Sequence, residues 1–332
     1  MKYIIQNFDT IIGESCIITA LSNISRYNGC MYTDAELFFL CNELNVQYEY
    51  DINYISSRVM RNMPELERAT GIQVNFWDIN LDKWHVEDMY KIITQNKPMI
   101  LFTNTSKLTY SPVYLNNKNR YHAIILYGLD LENNEAFISD AHFHDPSGKI
   151  KQVRGTITID DMMEATYRAA WFDFSNDCKL SKEQLIFVVR DRLQDFMRGN
   201  KSDSIAYGVS ALKEFIGDLN KLETISDSEI EDTCTNINYI IKICSFNYIN
   251  TYIIDYLKQL YSIININTAE LVTNYYNIEQ EWTKLAFSFL KLGKSKRREN
   301  IPKLIEKSNL LLQLQIELYQ NFELVIAERG KG

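Results

Sequence analysis

What this sequence lacks narrows it before anything it contains. It has six cysteines, Cys16, Cys30, Cys41, Cys178, Cys234 and Cys244, but no CxxC pair, and their scatter excludes a zinc ribbon. No stretch approaches the roughly 20 apolar residues that span a bilayer, so no membrane partner is expected. After Met1-Lys2 only three apolar residues precede Gln6, Asn7 and Asp9, too short a run for the apolar core of a secretory signal. The expected compartment is therefore a reducing cytoplasm with free thiols, since a chain of this length needs no disulfide staples. There is no basic excess: 35 Lys and Arg stand against 43 Asp and Glu, a net charge of −8, which argues against a general nucleic-acid binder. Proline is scarce at five, and with 21 tyrosines this reads as the codon bias of an AT-rich genome. That bias says nothing of function.

With 332 residues, 46% of them hydrophobic, the chain can bury a sizeable core and form two domains. Its texture changes near residue 180. Before it, short β-branched and aromatic runs alternate with turns: Pro98 to Phe102, His122 to Tyr127, Glu135 to Ser139 and Thr156 to Ile159. Two helices precede them. One spans about Cys16 to Tyr27 and stops at Asn28-Gly29; the other begins at Thr33-Asp34-Ala35-Glu36, where Thr33 and Glu36 have capping-box spacing. After residue 180 the pattern is helical throughout: 181–198, 203–219, 227–264 with a break near Phe246-Asn247, 268–292 and 302–328. The expected organisation is an α+β domain over 1–178 and an all-helical domain over 179–332.

A cysteine becomes a nucleophile when its thiolate is stabilised, and a helix start does so through its dipole and free N–H groups. Gly13-Glu14-Ser15-Cys16 fits: Gly13 allows a tight turn, Ser15 is a good N-cap, and Cys16 falls in the first turn. Ile17, Ala20, Leu21 and Ile24 would face the core. The base must come from elsewhere. His122 opens the strand His122-Ala123-Ile124-Ile125-Leu126-Tyr127-Gly128, and the chain returns as Glu135-Ala136-Phe137-Ile138-Ser139-Asp140. A hairpin centred near residue 131 would set His122 opposite Asp140 on one face. The carboxylate could then hold one imidazole nitrogen and leave the other for the thiol, the logic of a nucleophile, base and orienter. Each feature alone has a plainer reading: a helix-start cysteine is common, and a strand-start histidine is more often a satisfied core or edge residue. Their coincidence is the signal.

These residues carry a resemblance. Cys16 with Thr19-Ala20-Leu21, Tyr27-Asn28-Gly29, Thr33-Asp34-Ala35-Glu36, Tyr121 to Asp130, Ala136 to Asp140 and Thr158 to Met162 together resemble the butirosin-biosynthesis-protein-H family. The resemblance covers about residues 10–175 by motif and the remainder by helical texture. It implies a papain-like fold (an N-terminal helix packed on an antiparallel sheet), shared with C39-type peptidases, and an acyltransferase or transamidase. Similar transamidases occur in thiotemplated pathways such as closthioamide assembly. By position, Cys16 would accept an acyl group from the phosphopantetheine thioester of a carrier protein, His122 would act as base and acid, and Asp140 would orient it. A small amine would be the acceptor, and no other cofactor or metal is implied. The helical domain would shape the acceptor pocket. The chain departs from the pattern at Thr10, where papain-like enzymes often carry an oxyanion glutamine. Gln6 is the nearest glutamine, and Asn104 stands where an acidic residue follows the central strand. Gln6 and Asn104 are therefore the substrate-binding candidates.

Other features have plainer readings. Asp140, His142 and His144 alternate and could face a metal, but a polar strand end leading into Pro146-Ser147-Gly148 explains them as well. His85, beside Trp84, reads as a surface or packing residue. Lys291, Lys294, Lys296, Arg297 and Arg298 suit a solvated helix end, and alternatively a dock for an acidic carrier protein. The other five cysteines read as ordinary thiols in the core. Three functions compete: the acyltransferase, a papain-like peptidase or amidase with water as acceptor, and a binding module in which Cys16 only packs. Homodimerisation is left open.

Overall fold

The computed structural model describes residues 1–50, 54–56, 59–78, 84–111, 114, 121–145, 149–175, 178–264 and 267–327. The turn at Pro146-Ser147-Gly148, the segment Leu81-Asp82-Lys83, and the side chains of His144 and Cys244 lie outside the described residues. The chain forms two compact units: Met1–Leu37 with Met63–Lys179, and Phe38–Asn62 with Leu180–Gly332. A single cut at 178 does not describe this division, because an early segment belongs to the second unit.

The first unit is built on a seven-stranded antiparallel sheet. Its strands are β1 (Lys2–Ile4), β2 (Gln73–Asp78), β3 (Met99–Asn104), β4 (Tyr121–Asp130), β5 (Glu135–His144), β6 (Ile150–Thr158) and β7 (Thr166–Asp173). The order is β2-β7-β3-β4-β5-β6. Strand β4 is long enough to use one edge twice: β3 pairs with its first half and β1 with Gly128 to Asp130. The β3 run Met99 to Thr103 is buried on both faces, as its unbroken apolar sequence requires.

Helix α1 (Cys16–Tyr27) packs on β3, β4 and β5. Ile18, Ala20, Leu21 and Ile24 are its buried apolar side chains, whereas Ile17, expected in the core, is half-buried. The helix ends in a Schellman motif: Gly29 takes φ +79°, its N–H donates to the Arg26 carbonyl (3.0 Å), and Cys30 N–H donates to the Ser25 carbonyl (2.9 Å). Thr33 and Glu36 form the expected capping box, with bonds of 2.7 and 3.2 Å.

Cys30 and Cys178 are not free thiols. They form a disulfide between residues 148 apart in sequence, with Cα atoms 6.3 Å apart. Each read as ordinary alone, and only the fold brings the end of α1 against the segment after β7. Tyr32 Oη donates to the Cys178 carbonyl (2.6 Å) and reinforces the same junction.

The second unit has long helices at Lys182–Arg198, Gly208–Asp218, Ile230–Tyr239, Phe246–Ile264, Ala269–Ser295 and Ile301–Ala327. It is not all-helical: Gln47–Glu49, Tyr54–Ser56, Asn200–Lys201 and Ile205–Tyr207 form a four-stranded sheet. Three-residue strands are too short to show periodicity, so 203–207 read as the start of a helix. The break near Phe246 is a π segment at Ile240–Cys244. Phe246 stacks on Trp282 with ring centres 3.9 Å apart, and Gln315 accepts from Trp282 Nε1 (3.2 Å) while exchanging two bonds with Asn250. Satisfying every partner is what makes such a buried polar group tolerable. Among the described residues no helix is long and apolar enough to cross a membrane.

Candidate active site

Cys16 is the first residue of α1 and is half-buried. Ser15, extended at φ −139°, caps the helix: its hydroxyl accepts from Ile18 N–H (3.5 Å) and its carbonyl from Thr19 N–H (2.9 Å). The amides of Cys16 and Ile17 therefore precede the first helical donor, Thr19, which leaves N–H groups for an anion at the thiol. The segment before the thiol is held down firmly. Asn23 accepts from Ile11 N–H (2.7 Å) and donates to the Ile11 carbonyl (2.9 Å). Gly13 is required less for a turn than for space: a Cβ there would overlap Thr19 Oγ1 and Asp34 Oδ2, themselves hydrogen-bonded at 3.1 Å.

His122 and Asp140 meet as expected, but by a different register. β4 and β5 pair Ile125 with Ser139 and Leu126 with Ile138, and the pairing shifts by a bulge near Tyr127. Continued towards the strand start, this register sets His122 opposite His142 and diagonal to Asp140. The period of two keeps all three on one face. His122 Nε2 lies 2.9 Å from Asp140 Oδ2, and the rings of His122 and His142 are 6.5 Å apart. Cys16, at the start of α1, also acts on the His122 ring and favours its protonated form. With Nε2 directed to the carboxylate, Nδ1 is the nitrogen left for sulfur.

Electrostatics bind the three together. Burial opposes charge on His122, but the Asp140 carboxylate and Cys16 outweigh it and push the imidazolium up to about 10. Burial would raise Asp140, but His122, Tyr114 and the His142 amide hold its carboxyl below the ordinary carboxylate range. Asp140 is fully buried and completely engaged. Oδ2 accepts from Tyr110 Oη (2.9 Å) and Tyr114 Oη (2.8 Å) besides His122, and Oδ1 accepts from His142 N–H (3.1 Å). Tyr114 Oη is also 3.0 Å from His122 Nε2. Burial first, and then the charge of Asp140, hold both phenols far above their ordinary range, so they stay protonated donors.

Reading the sequence weighed His142 only as a possible metal ligand and missed Tyr110, Tyr114 and Tyr167. The last feels the charge of Cys16 and packs on the exposed Tyr121 at 5.2 Å. The signal available was the Tyr-x3-Tyr spacing, but 21 tyrosines hide any pair. His142 Nδ1 donates to the Gly13 carbonyl (2.8 Å), and Gly13 N–H donates to the Ala141 carbonyl (3.4 Å), so the β5 end grips the segment ahead of Cys16.

The substrate-binding candidates lie elsewhere in the bonding scheme. Gln6 is exposed and its amide donates to the Ile4 carbonyl two residues back (2.9 Å). Asn104 caps a short 3-10 turn, accepting from Ser106 N–H and Oγ at 3.1 and 2.9 Å. Thr10 is buried, 2.7 Å from Ser139 Oγ. No described hydrogen bond joins any of the three to Cys16, His122 or Asp140. Among the described residues no group of three His, Cys, Asp or Glu could hold a metal ion. His85 is an exposed helix-start residue. Burial raises the Cys41 thiol well above its ordinary range and the Cys234 thiol to about 11, the reverse of activation.

A helix-start cysteine facing a sheet-borne histidine and aspartate makes the first unit a papain-like α+β fold. Residues 15–141 match the family described as butirosin biosynthesis protein H, N-terminal. No curated protein matches the chain. Among solved structures, a chain titled as a C39-like peptidase from Bacillus anthracis is 16% identical, with a TM-score of 0.36 over 53% of this chain and 98% of its own.

Proposed function

We propose that the chain is a cysteine-dependent acyltransferase of a biosynthetic pathway. Cys16 takes an acyl group from the phosphopantetheine thioester of a carrier protein and passes it to a small amine, forming an amide. The observation that supports this best is His122, held at 2.9 Å by a fully buried carboxylate and acted on as well by Cys16 at the start of α1. The matching family, a biosynthesis protein by name, favours transfer over digestion.

In the first step the Cys16 thiolate attacks the thioester carbonyl, and His122 delivers its proton to the departing arm thiol. The oxyanion meets the amides that open α1, where developing negative charge is stabilised most. In the second step the amine attacks the S-acyl carbonyl, the C–S bond breaks, and His122 removes the amine proton as Cys16 leaves. Thioester exchange is nearly thermoneutral, and amide formation drives the sequence forward. Exclusion of water separates transfer from hydrolysis. The exposed Lys291, Lys294, Lys296 and Arg297 would meet the acidic carrier protein, whereas Arg298 is engaged by Asp227 (2.8 Å) and by the carbonyls of Leu222 and Ile225.

The test is incubation with an acylated carrier protein and an amine, followed by intact-mass measurement. An acyl adduct on Cys16 and an amide product are expected. Free acid as the product would make the chain a hydrolase instead, and no adduct would leave it a binding module.

A further inference from the structure

The catalytic cysteine, histidine and aspartate do not account for the two phenols that converge on Asp140. A carboxylate whose only task was to hold His122 would need one bond to Nε2. Here Oδ2 takes three donors within 2.9 Å, two of them the hydroxyls of Tyr110 and Tyr114. Both come from the segment that follows β3, and their rings pack edge to face with centres 5.8 Å apart. Tyr114 also packs on His122 at 5.0 Å and on Phe143 at 5.6 Å, so its ring covers the contact between histidine and carboxylate. We propose that Tyr110 and Tyr114 are positioning residues: their hydroxyls fix the Asp140 carboxylate and take up part of its charge, so that His122 is paired with a weaker anion than a bare carboxylate.

The chemistry of transfer gives this a purpose. A bare buried carboxylate would lock the proton on His122, stabilising the thiolate but making a poor acid for the departing thiol and a poor base for the amine. Sharing the charge with two phenols draws the histidine back towards neutrality, where proton transfer in both directions is efficient. The charged and titratable groups around His122 are Cys16 from α1, Asp140 and His142 from β5, and Tyr110 and Tyr114 from the segment after β3. Thr103 on β3 offers only a neutral hydroxyl, which donates to the His122 carbonyl (3.1 Å). Tyr167 on β7 is raised above its ordinary range by burial first, then by Tyr121 and Cys16. Of the phenols, Tyr110 gives the cleaner probe, because its hydroxyl bonds to Asp140 and not to His122.

The inference rests on Cys16 and His122 being the reacting pair, and the experiment separates the two. Alkylation of Cys16 by iodoacetamide is followed by peptide mass spectrometry from pH 4 to 10 in the full chain, with His122 titrated by NMR. In Tyr110→Phe the concentrated carboxylate charge should stabilise the ion pair. The upper limb of the profile and the His122 titration should move up by about half a unit to one unit, while the lower limb, where His122 is already protonated, should not move down. Tyr114→Phe should move them the same way but less, since its oxygen also faces Nε2; it serves as the second variant if Tyr110→Phe does not fold. A role confined to packing would lower Tm and leave the upper limb and the His122 titration in place, and that result in either folded variant would overturn the inference alone. A wild-type Cys16 no more reactive at pH 6 than Cys41 or Cys234 would overturn the reacting pair itself, and the inference with it.

Discussion

Replacing Asp140 by asparagine tests the electrostatic core of the site at one atom. The side chain keeps its shape, but the negative charge that faces His122 Nε2 at 2.9 Å disappears. A hydrogen bond between charged partners contributes about 1.5–3 kcal/mol, which corresponds to about one to two pH units on the imidazolium. The ring would then titrate at about 8–9 instead of about 10, with burial, which already opposes its charge, acting in the same direction. At pH 9, where the wild-type ring keeps its proton and the variant's is losing it, the Cys16 thiolate loses its counter-charge, and its population should fall by up to about 10-fold. The assay is the initial rate of Cys16 alkylation by iodoacetamide at that pH, scored by peptide mass against buried Cys41 and Cys234 as internal references. Thermal melting separates this from collapse, because the four donors around Asp140 keep only one amide oxygen as acceptor and stability should drop by about 1–3 kcal/mol. A folded Asp140→Asn protein that alkylates Cys16 at the wild-type rate would refute the reasoning, since the carboxylate would then have no hold on the thiol.

Three further outcomes are expected. His122 is raised from its ordinary value to about 10, so its contribution to stability is fully present below about pH 6.5 and is lost as pH rises towards 10; denaturant melts should show that decline, and His122→Gln should flatten it. Gly13→Ala should cost about 1–3 kcal/mol and slow Cys16 alkylation, because the added methyl displaces Thr19 or Asp34; an unchanged Tm and rate would show that the segment yields freely. Cys30→Ser should lower stability by about 2–4 kcal/mol, matched by dithiothreitol treatment of the wild type; equal thiol titres with and without reductant would show that the bridge does not form.

Local signals in the sequence reached far into this fold. Ser15 as a cap, Gly29 as a stop and the Thr33–Glu36 box are decided by neighbours within four residues, and each stands where its chemistry put it. The proximity of His122 and Asp140 was also legible, because a period of two preserves the face even when the register moves by two. What stayed hidden depends on distant segments. The bulge near Tyr127 leaves no mark in composition, the Cys30–Cys178 bridge joins positions 148 residues apart, and the strand at Gln47 pairs with Ile205–Tyr207 only after the chain has folded. Tyr110 and Tyr114 were visible as residues and invisible as a pair, since nothing local says that a carboxylate awaits them.

Helix α1 is pinned at both extremities by unrelated devices. Ahead of the thiol, Gly13 is tied to Ala141 and His142; behind it, the Schellman turn runs straight into the disulfide. The two anchors answer to different surroundings, one to main-chain geometry and the other to redox conditions. Cutting the bridge would therefore loosen the rear of the helix while the reactive end stayed clamped. Oxidation state would then set the working lifetime of the protein and leave its turnover untouched, two properties that could be altered separately along a single helix of twelve residues.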